Sequence, residues 1–145
     1  MTSQASGTES DTRWLYAATI FARIALAAAF LSAVADRFGL WGSPGTGDVF
    51  WGNFGNFTEY VGVLAPYLPV ALLTPTAWVV TVAEITVAVA LLSGIALRWT
   101  ALASAVMLTV FGMSMFIFDG FETPLSASVF TAAAAALLLA AVSRP

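Results

Sequence analysis

Long apolar runs and short polar breaks alternate along the chain. A helix needs roughly 20 residues to cross about 30 Å of hydrocarbon. Four runs meet that length, Trp14 to Phe38, Ala77 to Leu97, Trp99 to Phe118 and Pro124 to Val142, and each predicts a transmembrane helix. The first overshoots the bilayer, which predicts tilt or extension beyond it. The last opens with Thr123 as an expected N-cap and Pro124 at the first helical position, where the missing N–H costs nothing. The middle two meet around Arg98, which predicts an antiparallel hairpin.

Residues 39–76 do not span. The Gly-Ser-Pro-Gly-Thr-Gly stretch from Gly42 to Gly47 is turn material. Trp41, Phe50, Trp51, Phe54, Phe57, Tyr60 and Tyr67 suit a membrane–water interface. Phe54, Phe57, Val61 and Leu64 recur at helical spacing and predict a short amphipathic helix on the outer surface before Pro66. Residues 1–13 are small, polar and acidic and read as a disordered cytoplasmic tail. The expected fold is therefore an all-α integral membrane protein. It is a four-transmembrane-helix bundle over residues 14–145, with an aromatic-rich outer segment between helices 1 and 2.

Composition supports lipid as the solvent. Of 145 residues 60% are hydrophobic and 9% charged, and the mean hydropathy is +0.92, whereas a soluble domain carries about 25% charged residues. Without Cys or His, the chain lacks the protein ligands for disulfide exchange, structural zinc, iron–sulfur clusters and His-ligated haem, and no metal site is expected. A net charge of −3 gives no basic patch for nucleic acid. All five positive charges are Arg, a usage that suggests a GC-rich prokaryotic genome. Arg13, Arg98 and Arg144 fall on one side of the predicted spans and Arg37 alone on the other, which predicts cytoplasmic termini in a cell membrane. Ala33, Val34 and Ala35 imitate a signal-peptidase site, but Arg23 inside the apolar stretch and the acidic N-terminus argue against a cleaved leader.

Ionisable side chains within spans cost about 2.5–3.5 kcal/mol on insertion scales, so each needs an account. Counting about 1.5 Å per residue from the span ends places Arg23 and Glu84 at similar depths and predicts an ion pair between the first two spans. Thr109 and Thr131 fall near that level as a hydroxyl-bearing layer. Ala25, Ala29 and Ala33 form a small-residue stripe for close helix approach. Two roles for the pair stand side by side: a clasp that fixes helix register, and a proton or ligand site. Met107, Phe111 and Met115 could wall a soft pocket for a flat lipid-soluble molecule such as a quinone, or simply face lipid and fill the bundle. Asn56-Phe57-Thr58 fits a glycosylation acceptor pattern. Asp119 and Glu122 read as solvated turn residues.

With these residues in view, the chain resembles the DoxX-like family of small four-helix prokaryotic membrane proteins. The matching segments are Arg23 to Ser32, continuing Ala33 to Gly42; Trp51 to Phe57; Ala83-Glu84-Ile85 with Leu91 to Gly94; and Pro124 to Phe130. The resemblance covers about Arg13 to the C-terminus. It implies a membrane component associated with quinone-linked redox or oxidative-stress complexes, beside a redox-enzyme partner subunit, with no covalently bound cofactor and no motif for catalytic residues. A non-catalytic scaffold or assembly subunit and a small-solute carrier are the alternative expectations.

Overall fold

The computed structural model describes the backbone from Ser3 to Ser143 and the side chains from Ser10 to Ser143. Its elements are α1 (Ser3–Arg37), α2 (Phe54–Leu64), α3 (Val70–Ser93), α4 (Leu97–Ser114) running on into a π-helical turn (Met115–Asp119), α5 (Glu122–Ser126) and α6 (Val129–Val142). Among the described residues all regular structure is helical. Three stretches, Ser10–Arg37, Val70–Ser93 and Leu97–Asp119, are long and apolar enough to cross a membrane.

Several boundaries differ from those expected. The polar segment read as a disordered tail is helical from Ser3 onward and lengthens α1 to 35 residues. Met1, Thr2 and Arg144, the last a part of the orientation argument, lie outside the described residues. Helix α3 starts at Val70 and carries Pro75 inside it, so part of the segment assigned to the outer loop is helix.

The fourth expected span is broken. Phe121, not Thr123, stands at the N-cap of α5, without a side-chain cap. Ser128 takes a left-handed φ of 56° before α6. The 14 residues of α6 extend about 21 Å at 1.5 Å per residue, short of a bilayer core. No Gly or Pro stands at residues 127–128 to announce the break. Beyond it, Phe130 packs on α4 at Gly112, where a Cβ would lie 2.8 Å from the ring.

Small side chains set the interior. Leu26, Ala27 and Phe30 of α1, Ala88 and Leu91 of α3, Ala101 and Ala105 of α4, and Ala136, Leu139 and Ala140 of α6 form one buried cluster. Helix α3 packs chiefly on α1 and α4 chiefly on α6, so the sequence-adjacent hairpin of α3 and α4 is not a main packing pair. The stripe of Ala25, Ala29 and Ala33 is not the packing face. Ala25 and Ala29 are exposed and Ala33 is half-buried, while burial falls on Leu26, Ala27, Phe30 and Val34.

The expected amphipathic helix forms as α2. Asn53 caps it by accepting a hydrogen bond from the Asn56 N–H, and Phe57 and Val61 turn inward onto Ala77 of α3 with Trp51, Phe54, Leu73 and Val80 around them. This second, smaller core closes one end of the molecule with aromatic rings. Phe54 lies 4.4 Å from the Trp78 ring centre, and Trp51 meets Phe57 edge-on at 5.0 Å. Asn56 donates through its side-chain amide to the Trp51 carbonyl at 2.8 Å, so the nitrogen a glycan would need is already engaged inside a helix.

Candidate functional site

Arg23 and Glu84 do not pair. Arg23 donates from Nε to the Leu91 carbonyl at 2.7 Å and from Nη2 to the Leu92 carbonyl at 2.8 Å. Its role is to cap the C-terminal end of α3, where the last carbonyls lack helical partners and the helix dipole favours a cation. Gly94, at φ 75°, makes the approach possible, because a Cβ there would lie 2.8 Å from Arg23 Nη2.

Glu84 pairs instead with Arg37, the last residue of α1. Arg37 Nη2 donates to Glu84 Oε1 at 2.9 Å, and Nη1 donates to the Thr81 hydroxyl at 3.0 Å. Nη1 also lies 2.6 Å from Glu84 Oε2, an ion-pair contact rather than an aligned hydrogen bond. The guanidinium carbon sits 3.7 Å from the Phe57 ring centre and 5.2 Å from that of Trp51. The Thr81 hydroxyl in turn donates a hydrogen bond to the Ala77 carbonyl at 2.8 Å. Arg37 and Glu84 are each 2% exposed.

An Arg23–Glu84 pair would require helix ends that share a plane. The end of α1 instead lies level with Thr81 and Glu84, while the first turns of α3 rise beside α2, with Leu73 and Ala77 packed on it. The arginine at the end of α1 therefore reaches the carboxylate in the middle of α3. The signal that could have found it was in the sequence: Asp36 and Arg37 stand where the apolar run ends, close to a Trp- and Phe-rich segment suited to covering a cation.

The expected hydroxyl layer is absent from this pair. Thr109 is exposed and donates to the Ala105 carbonyl of its own helix at 2.7 Å. Thr131 is exposed on α6. The hydroxyl at the pair belongs to Thr81.

A cavity of about 460 Å³ opens beside the pair. Arg37, Glu84 and Asp36 contribute its polar wall, and Phe30, Leu108, Phe111 and Met115 much of its apolar wall, under Trp51 and Phe57. Two of the three expected pocket residues, Phe111 and Met115, line it; Met107 packs against the main core instead. The small residues Ala29 and Ala33 also border this space. The π-helical turn belongs to the same region: it starts at Met115 on the cavity wall and ends at Asp119.

Asp36 was missed by sequence reasoning. It is 5% exposed, and its Oδ2 accepts the Trp51 backbone N–H at 2.7 Å, tying the loop before α2 to the end of α1. Among the described residues, its Oδ1, Arg37 Nε and Glu84 Oε2 are buried without a hydrogen-bond partner, the last in ion-pair contact with Arg37 Nη1.

At the cavity rim Tyr60 of α2 donates its hydroxyl to Asp119 Oδ2 at 2.7 Å. Asp119 is therefore a partner that joins two elements, not merely a solvated turn residue. Burial, with further help from the Asp119 carboxylate, holds the Tyr60 phenol well above its ordinary range. It stays a hydrogen-bond donor. Among the described residues no three His, Cys, Asp or Glu side chains converge as metal ligands. Set against family models, curated proteins and solved structures, the chain gives no match.

Proposed function

We propose that the chain is a multi-pass membrane protein with α1, α3, α4 and the α5–α6 pair as four crossings and both termini on the cytoplasmic side of a prokaryotic cell membrane. In this reading it holds a lipid-soluble ring-bearing molecule, of which a quinone is the leading example, in the capped cavity. It serves as a DoxX-like component of a quinone-linked redox or oxidative-stress system, next to a partner subunit that carries the electron-transfer cofactor.

The observation that carries this reading is the meeting, in one cavity, of a buried ionic cluster with an aromatic and methionine wall. Ligand sites typically measure about 300–1,000 Å³ and combine an apolar lining with a few polar anchors. The π-helical turn at the wall adds support, since such turns are frequent at functional sites. Three apolar helices of spanning length support the membrane assignment.

A short-chain quinone should raise the unfolding temperature of the detergent-solubilised protein. By mass action the gain is about 2.7 kcal/mol at a hundredfold excess over the dissociation constant. Phe111→Trp, which extends into the cavity, should remove it. No shift in the wild type at saturating ligand, with the quinone supplied in its oxidised and in its reduced form, would overturn the binding reading.

One observation favours a scaffold as the second reading: both Nη atoms of Arg37 are spent on α3, which makes the pair a clasp between helices. An Arg37→Met, Glu84→Leu double variant that folds and fully supports its host would favour that role.

A further inference from the structure

We propose that the cavity selects a neutral ring head bearing a hydroxyl, a phenol or hydroquinone, over a ring that can only accept hydrogen bonds, and that Asp36 makes the choice. The inference rests on the cavity being a binding site and names the chemistry it recognises.

Arg37 spends Nη1 and Nη2 on Thr81 and Glu84. Asp36 spends Oδ2 on the Trp51 N–H, and Tyr60 spends its proton on Asp119. Among the described residues, three buried atoms of the wall remain without a hydrogen bond: Glu84 Oε2, which is held in ion-pair contact with Arg37 Nη1, and the acceptor Asp36 Oδ1 and the donor Arg37 Nε, which have no such contact, on residues 5% and 2% exposed that both border the cavity. A buried polar group left unpaired is costly, so a fitting ligand satisfies both.

Charge narrows the class. Two carboxylates and one guanidinium make the buried cluster formally negative, and the exposed Asp48 borders the same cavity. A carboxylate or phosphate head would add like charge beside Asp36. An ammonium would satisfy Asp36 Oδ1 but would offer Arg37 Nε no acceptor and would stand beside a cation. A quinone or ether oxygen would serve Arg37 Nε and leave its lone pairs against the carboxylate. A hydroxyl both donates and accepts. It pairs with both atoms without changing the charge, and the attached ring meets Phe111, Met115 and Phe30.

Redox-inert probes isolate this choice. The dissociation constants of para-hexylphenol, para-hexylanisole and para-hexylbenzoate would be measured on the full chain in detergent by tryptophan fluorescence, corrected for partition into the micelle. The phenol should bind at least about tenfold more tightly than the anisole, which differs by losing its donor, and more tightly still than the benzoate. In Asp36→Asn the side-chain oxygen keeps the Trp51 N–H and an amide N–H replaces the acceptor, so the phenol's advantage should collapse to within about twofold or reverse. Phe111→Trp should weaken the phenol and the anisole alike.

Phenol and anisole binding equally to the wild type, both lost in Phe111→Trp, would overturn the selection and leave the cavity reading standing. Binding of none of the probes would overturn the cavity reading itself. A phenol preference that survives in Asp36→Asn would remove Asp36 from the role. If Asp36→Asn does not fold, the wild-type ratio together with Phe111→Trp decides.

Discussion

Removing the Glu84 charge is the most informative single perturbation. Glu84→Gln preserves the shape of the side chain but leaves the Arg37 guanidinium, 2% exposed, facing a neutral amide and the Thr81 hydroxyl. Breaking a buried pair by neutralising one partner typically costs about 3–5 kcal/mol, because the remaining charge keeps its desolvation penalty. Phe57 and Trp51 offset part of that, since a cation over an aromatic face gains about 0.5–2 kcal/mol. The loss expected for Glu84→Gln is therefore about 1–4.5 kcal/mol. An Arg37→Met, Glu84→Leu double variant should recover most of it, as apolar replacement of both partners often does.

The assay is equilibrium unfolding in mixed micelles, run as two double-variant cycles. For Arg37 with Glu84 the coupling should exceed about 1.5 kcal/mol, within the range for residues in contact. For Arg23 with Glu84 the losses should add, because Arg23 is spent on the Leu91 and Leu92 carbonyls. Additive losses for Arg37 with Glu84, or strong coupling for Arg23 with Glu84, would refute the pairing and the account of the site built on it.

Three further outcomes are expected. Gly94→Ala should destabilise by about 1–2 kcal/mol from its left-handed φ, and further through the 2.8 Å approach to Arg23 Nη2; unfolding of the solubilised protein checks this, and in an Arg23→Met background the second part should disappear. Tyr60→Phe removes the bond to Asp119 and should cost about 1.5–3 kcal/mol, the range for a hydrogen bond to a charged group. Because the folded state raises the Tyr60 phenol, its contribution should be fully present below pH about 10 and fall as pH climbs through the alkaline range above it; a titration of unfolding free energy should show that fall in the wild type and a flatter line in Tyr60→Phe. A reporter fused after Pro145 should be active in a cytoplasmic format alone, following the arginine bias, and activity of an exported reporter there would reverse the orientation.

Much of the fold is written in one-dimensional pattern. Long apolar runs declare helices of spanning length, because every backbone polar group in hydrocarbon must be satisfied within its own segment. The spacing of Phe54, Phe57, Val61 and Leu64 declares α2, because helical periodicity is a property of neighbours along the chain. The absence of Cys and His removes whole classes of chemistry without reference to any contact.

Partners across helices could not be read in the same way. Whether Glu84 meets Arg23 or Arg37 depends on how far α3 rises past the end of α1, and that offset is set by the packing of Leu73 and Ala77 against α2. The break at Ser128 has no Gly or Pro to mark it and accompanies the seating of Phe130 on Gly112. Asp36 looks like a loop charge until the fold buries it under Trp51. Sequence determined which segments are apolar enough to leave water, because transfer from water is close to a sum over residues. The tertiary structure alone decided which polar atoms meet there, because ångström-scale offsets between rigid helices follow from packing at contacts far apart in the chain.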